Sequence, residues 1–179
     1  MTLIGVTFFV QSCKKQNTKP ADQLSLLPAA TQTGADTFGC LVNGQAFTPK
    51  GSVSSGPAVQ CYYSYISGGF NFTVSGSNDG GNNFIKDVTL RTDSLAVSQG
   101  ETITLRAPSA GNATASYTVF QGLGETEYST NNPVTGALTI TKLDQANRIV
   151  SGTFYFNAAD AAGDTVKVAD GRFDMRYTQ

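Results

Sequence analysis

"DTVKVADGRFDMRYT" (164–178) decides the fold class, because Phe173, Met175 and Tyr177 alternate strictly with Arg172, Asp174 and Arg176. A period of two places one set on an apolar face and the other on a charged face, which is the pattern of a half-buried β-strand. Just upstream, "GALTITKLD" (136–144) and "RIVSGTFYFNAAD" (148–160) repeat the pattern around a short "QAN" connection. The last third of the chain therefore reads as a run of antiparallel strands.

Working back toward the N-terminus, the same alternation recurs. In "FGCLVNGQAF" (38–47), Phe38, Cys40 and Val42 share a face, and Asn43-Gly44 marks a two-residue hairpin because both residues tolerate positive φ. "VQCYYSYI" (59–66) and "GFNFTVSGS" (69–77) follow, with Gly68-Gly69 as the turn between them and Phe70, Phe72 and Val74 on one face. "FIKDVTLRT" (84–92), "ETITLRA" (101–107), "ASYTVFQ" (115–121) and a weaker "ETEYST" (125–130) complete the series. About nine or ten short strands, turn signals every 8 to 12 residues or so, and no amphipathic helix predict an all-β domain. A single antiparallel β-sandwich is favoured, since the strands are short and unevenly spaced; a small closed or partly open β-barrel would present the same alternation.

Before this domain the composition changes. Residues 1–12, "MTLIGVTFFVQS", are uncharged and mostly apolar, too short to span a bilayer, and read as the apolar part of a signal peptide, though without a leading Lys or Arg. Residues 14–37 mix Lys, Gln, Asn, Pro, Ala and Thr without a period, as a linker does. The expected organisation is a signal-like segment over 1–12, an N-terminal tether over 13–37, and one β domain over 38–179.

Composition excludes several chemistries. The chain has 179 residues, 12 Lys and Arg against 13 Asp and Glu, and no histidine or tryptophan. The near-neutral balance offers no basic face, so nucleic acid is not an expected partner. Without His there is no Ser-His-Asp or Cys-His nucleophile, and the usual zinc sites lose their commonest ligand. No G-x-S-x-G elbow is present either. Carboxylates remain: Glu125 and Glu127 share a face of one weak strand, and Asp170 and Asp174 flank an apparent turn. Solvated strand faces account for them. The Gly-rich, oxygen-bearing stretches "NDGGNN" (78–83) and "DAAGDTVKVADG" (160–171) lack calcium-ligand spacing and read as hairpin loops. No cofactor and no metal site is expected.

Two features point to binding and location. "CYYSYISGGFNF" (61–72) is the densest aromatic stretch; Tyr63 and Tyr65 face one way and Tyr62 the other, so Tyr62 is a candidate ligand platform for a sugar or peptide. "VQSC" (10–13) is similar to the lipobox of bacterial lipoproteins, in which a small residue, here Ser12, precedes the cysteine that is acylated. That similarity makes Cys13 the lipid attachment point. Cys40 and Cys61 are then left as an even pair in an exported protein, where a disulfide between them is expected, the alternative being two buried free thiols.

"GADTFGCLVNGQAFTPKG" (34–51) and the stretch from Thr135 to Tyr177 resemble the two ends of a Bacteroidetes lipoprotein family classed as domain of unknown function 6252. The resemblance implies an exported β protein, lipid-anchored to the outer membrane of the cell envelope, and carries no activity with it. A non-catalytic binding or structural module with a protein or glycan partner is the preferred expectation. A barrel carrying a small ligand and a carboxylate-dependent hydrolase are the alternatives.

Overall fold

The computed structural model describes residues 22–53, 56–80 and 84–179. Cys13, the proposed lipid attachment point, and the apolar run before it lie outside the described residues. Among the described residues there is one turn of 3-10 helix (Gln23–Leu26) and no α-helix. The strands are β1 (Thr37–Val42), β2 (Gln45–Phe47), β3 (Ser52–Val53), β4 (Gly56–Pro57), β5 (Val59–Ile66), β6 (Gly69–Asp79) and β7 (Phe84–Thr92). They continue with β8 (Thr102–Leu105), β9 (Ala113–Gln121), β10 (Gly124–Ser129), β11 (Gly136–Asp144), β12 (Ile149–Ala159) and β13 (Thr165–Arg176).

The fold is all-β, as expected, and one main sheet carries eleven of its strands, between the favoured sandwich and the partly open barrel that was its alternative. Eleven strands join in the order β2-β1-β13-β12-β11-β8-β9-β7-β6-β5, with β10 alongside β9 and touching β12; β3 and β4 form a separate pair. The ladders between strands are antiparallel except for the parallel contact of β8 with β9, Leu105 opposite Ala113, and two isolated bridges, Lys50 with Asn78 and Tyr62 with Thr178, are parallel as well. Past the end of β13 the chain reaches the open edge of β5: Tyr63 N–H donates to the Thr178 carbonyl (2.9 Å), and Thr178 N–H donates to the Cys61 carbonyl (3.0 Å). The sheet thus curls into a partial ring. Its two arms face each other as sandwich layers do, with Phe173 of β13 against Phe72 of β6 (centroids 6.1 Å apart) and Tyr177 against Tyr63 of β5 (5.7 Å). Interior rings and branched side chains, among them Phe38, Phe72, Phe156, Leu90, Leu138 and Ile140, are fully buried between the arms.

The turn chemistry follows the sequence closely. Asn43 and Gly44 both take positive φ (49° and 77°), closing the β1–β2 hairpin with Val42 opposite Gln45. In the β5–β6 hairpin the turn is Ser67-Gly68, one residue earlier than the expected glycine pair, with Ile66 opposite Gly69.

β13 contains a feature that simple alternation hides. Its buried residues are Val166 and Val168 at one end but Phe173, Met175 and then Tyr177 at the other. The two sets differ in parity. An unbroken strand can turn both inward only if one extra residue is inserted, and Asp170, at φ 52°, sits where the register against β1 and β12 shifts. Asp170-Gly171, expected to be a turn between Asp170 and Asp174, is therefore a bulge within a twelve-residue strand.

Two further expectations are corrected. First, the tether was expected to run to residue 37, but residues 22–36 are part of the fold. Gln23 accepts from Ala46 N–H (2.9 Å), Leu27 is buried, and Thr31, Thr33, Gly34 and Ala35 all donate to Asp174. This strap covers the outer face of β1 and β13. Asp174, placed by alternation on a wet face, is only 1% exposed as a result.

Second, Cys40 and Cys61 form no bridge; both are free, buried thiols. Cys40 lies on β1, which pairs with β2 and β13, whereas Cys61 lies on β5, which pairs with β6 and Thr178, so no ladder sets the two side by side. A disulfide needs Cβ atoms within about 4.5 Å. Burial pushes the Cys40 thiol up to about 12, and burial with the nearby Asp36 charge pushes Cys61 up as well. Alkylation of unreduced protein at pH 8 should accordingly leave both unlabelled when folded and label both in denaturant. A pair that resists alkylation in denaturant until reductant is added would restore the bridge.

Candidate functional site

The aromatic stretch that stands out in the sequence forms the end of the β5–β6 hairpin, where the two strands run past the packed interior. Tyr65 is 65% exposed, Ile66 56%, Phe70 41% and Tyr62 45%. Tyr65 and Phe70 are directly opposite across the hairpin, their rings 5.1 Å apart at 67°, a cross-strand pair that holds both side chains in place. From Phe70 the contacts continue inward to Tyr63 (5.3 Å) and from Tyr63 to Tyr177 (5.7 Å, 82°). A chain of four rings thus runs from solvent to the core.

These rings form one wall of an open cleft of about 470 Å³ whose other lining residues are Ser64, Gln145 and Gln179. Gln145 comes from the β11–β12 connection, where Asp144 holds the turn by accepting from Asn147 N–H (3.0 Å) and Nδ2 (2.9 Å). Burial, with the neighbouring Tyr63, pushes the Tyr177 phenol upward, so it stays neutral and able to donate. No charged side chain is among the lining residues. The site offers flat apolar ring faces beside amide and hydroxyl groups.

Tyr62 is exposed as expected, but it lies on the other side of β5 and its hydroxyl donates to Gln60 Oε1 (2.9 Å). It does not line the cleft. Alternation separates Tyr62 from Tyr63 and Tyr65; it cannot show that β5 outruns the core, which is what leaves Tyr65 in solvent.

The carboxylates do not converge. Glu125 and Glu127 are exposed on β10, with Glu127 accepting from Ser129 Oγ (2.9 Å). Asp170 is exposed on the bulge, and the oxygens of Asp174 are already taken by the strap and by Ser151 Oγ (2.8 Å). In the 160–164 loop, Asp160 Oδ1 accepts from Ala162 N–H (3.0 Å) and Asp164 N–H (2.9 Å), so this oxygen serves the turn. Among the described residues no group of three or more His, Cys, Asp or Glu is placed to hold a metal ion.

Comparison with known proteins finds no matching curated protein and no matching solved structure. The family model described as Domain of unknown function (DUF6252) does match, over residues 71–175. That range takes in β6 to β13 almost entirely, including nearly all of the 135–177 stretch quoted for the resemblance; the other stretch, 34–51, lies ahead of it, as do the strap, β1 to β4 and the β5 wall of the cleft. With more than half of its length matched, the chain belongs to the domain of unknown function family DUF6252.

Proposed function

We propose that this chain is a non-catalytic lipoprotein of the bacterial cell envelope, of the Bacteroidetes kind, anchored to the outer membrane through acyl chains on Cys13. Its β domain is a binding module, and the aromatic cleft is where a partner docks. The observation that carries the binding reading is the pair of Tyr65 and Phe70, large apolar rings left in solvent together on one wall of the cleft, in a domain whose other rings are mostly buried. Clustered exposed apolar surface beside polar groups is a mark of an interaction site. The interior is filled by packed rings, which directs binding to the surface and away from an enclosed small ligand.

Anchoring rests on the setting of Cys13, after an uncharged apolar run and before Lys14 and Lys15. Two or more acyl chains make membrane attachment durable where one does not. Cys13→Ala is expected to move the protein from the membrane fraction to the soluble fraction and to abolish incorporation of an alkyne-palmitate label. An unchanged distribution overturns the anchor.

A further inference from the structure

We propose that the aromatic cleft takes a neutral saccharide, held at the end of the domain that the strap reaches last. This rests on the binding reading above and adds the ligand class and its orientation.

The orientation follows from strand register. The first described residues sit beside the β1–β2 hairpin: Gln23 bonds to Ala46, which lies opposite Leu41, which in turn lies opposite Ala169. From there the strap climbs along β13, through the Arg172–Pro28 contact, to Asp174 and to Asp36, which accepts from Arg176 N–H (2.8 Å). Tyr177 and Thr178 continue past that end, Thr178 pairs with β5, and Gln145 follows Asp144, two ladders across from Arg176. Every lining residue of the cleft therefore belongs to the end the strap reaches last. From Ala169, level with the base of the strap, to Tyr177 in the cleft is eight residues, some 26 Å at about 3.3 Å each.

The ligand class follows from the lining. Tyr65 and Phe70 offer ring faces, while the amides of Gln145 and Gln179 supply both donors and acceptors. A pyranose presents the matching pair of surfaces, a flat C–H face and an edge of hydroxyls. The charges beside the cleft, Arg148 and Asp144, both act on the Tyr177 phenol and are of opposite sign, so neither an anionic nor a cationic ligand meets a net charge there.

The test titrates full-length protein with neutral hexasaccharides (gluco-, manno-, xylo- and N-acetylglucosamine-based) and with hyaluronan and polygalacturonate, read by calorimetry and by tyrosine emission, unobscured because the chain has no tryptophan. One neutral probe is expected to bind, with Tyr65→Ala and Phe70→Ala each weakening it about tenfold or more. Tyr62→Ala should leave affinity unchanged, and all three side chains are exposed enough for the variants to fold. Preference for the charged polymers, no binding of any neutral probe, or binding indifferent to Tyr65→Ala overturns the proposal. If a peptide or protein ligand binds in a Tyr65-dependent manner while no saccharide does, the saccharide class fails and the binding reading stands. If no ligand of any class depends on Tyr65, both fail.

Discussion

Asp174→Ala is expected to lower the unfolding free energy by about 3 to 5 kcal/mol, a large part of the 5 to 15 kcal/mol or so of an ordinary domain. The carboxylate is 1% exposed and has no cationic partner among its bonded neighbours, yet it accepts from six donors. Thr31 Oγ1 (2.6 Å), Thr33 N–H (2.8 Å), Thr33 Oγ1 (3.1 Å), Gly34 N–H (2.7 Å) and Ala35 N–H (3.3 Å) come from the strap, and Ser151 Oγ (2.8 Å) comes from β12. Hydrogen bonds to a charged acceptor contribute about 1.5 to 3 kcal/mol each in isolation, but the strap can leave for water, which caps the loss. Urea denaturation measures the change, and limited proteolysis should show new cleavage within residues 31–35. A change below about 1 kcal/mol with no new cleavage would refute the clamp.

The same carboxylate sets an acid limit. Burial pushes its pKa up, but the hydrogen bonds from Thr31, Thr33, Gly34 and Ser151 outweigh burial and hold it well below the usual carboxylate range. Because the folded value is depressed, the stability it confers is fully present above the unfolded pKa of about 4 and is lost as pH falls below that toward the folded value. Asp174→Asn, which cannot titrate, should flatten the fall in stability below about pH 4.

The second large effect is expected at Phe173, where alanine should cost about 3 to 5 kcal/mol. Its ring joins the two arms of the sheet, packing on Phe72 (6.1 Å) from β6 and Phe154 (6.4 Å) from its own arm. It also lies across Gly152, its cross-strand partner, so that a Cβ there would stand 2.6 Å from the ring and 2.6 Å from the Thr139 carbonyl oxygen. Phe154 lies in the same way across Gly171. This reciprocal exchange of ring for glycine lets β12 and β13 carry two phenyls side by side without spreading the strands. Gly152→Ala alone should cost about 1 to 3 kcal/mol by overpacking. In the double variant the total loss should fall short of the sum of the two by more than about 0.5 kcal/mol, because removing the ring relieves one of the two close approaches of the new methyl and leaves only that of the Thr139 carbonyl. Strict additivity in chemical denaturation would count against the interlock.

Alternation made most strands readable because each has a dry face and a wet one, and the side-chain period of a strand admits no other placement. Asn43-Gly44 was readable for a local reason too, since few residue pairs tolerate two positive φ values. Asp174 shows where such reasoning stops: it obeys the alternation, yet a segment some 140 residues away in the chain covers it. Residues 22–36 have little apolar periodicity of their own and read as linker, because what holds them lies far away in the chain, Asp174 above all, with Ala46, Arg172 and Arg176. The candidate site divides in the same way. The aromatic density of 61–72 was plain, whereas the choice of Tyr65 over Tyr62 depended on how far β5 extends beyond the interior.

By itself the sequence determined the all-β class, the Asn43-Gly44 turn, the dry face of most strands and the absence of histidine chemistry, all of which depend on composition or on neighbours within a few residues. Only the tertiary structure decided that one sheet curls into a partial ring, that Cys40 and Cys61 stay apart, that the strap belongs to the fold, and that Tyr63, Tyr65, Phe70 and Tyr177 meet at one end. Those outcomes depend on which strands become neighbours across the chain. A period of two fixes the face a side chain takes but says nothing about what lies opposite that face.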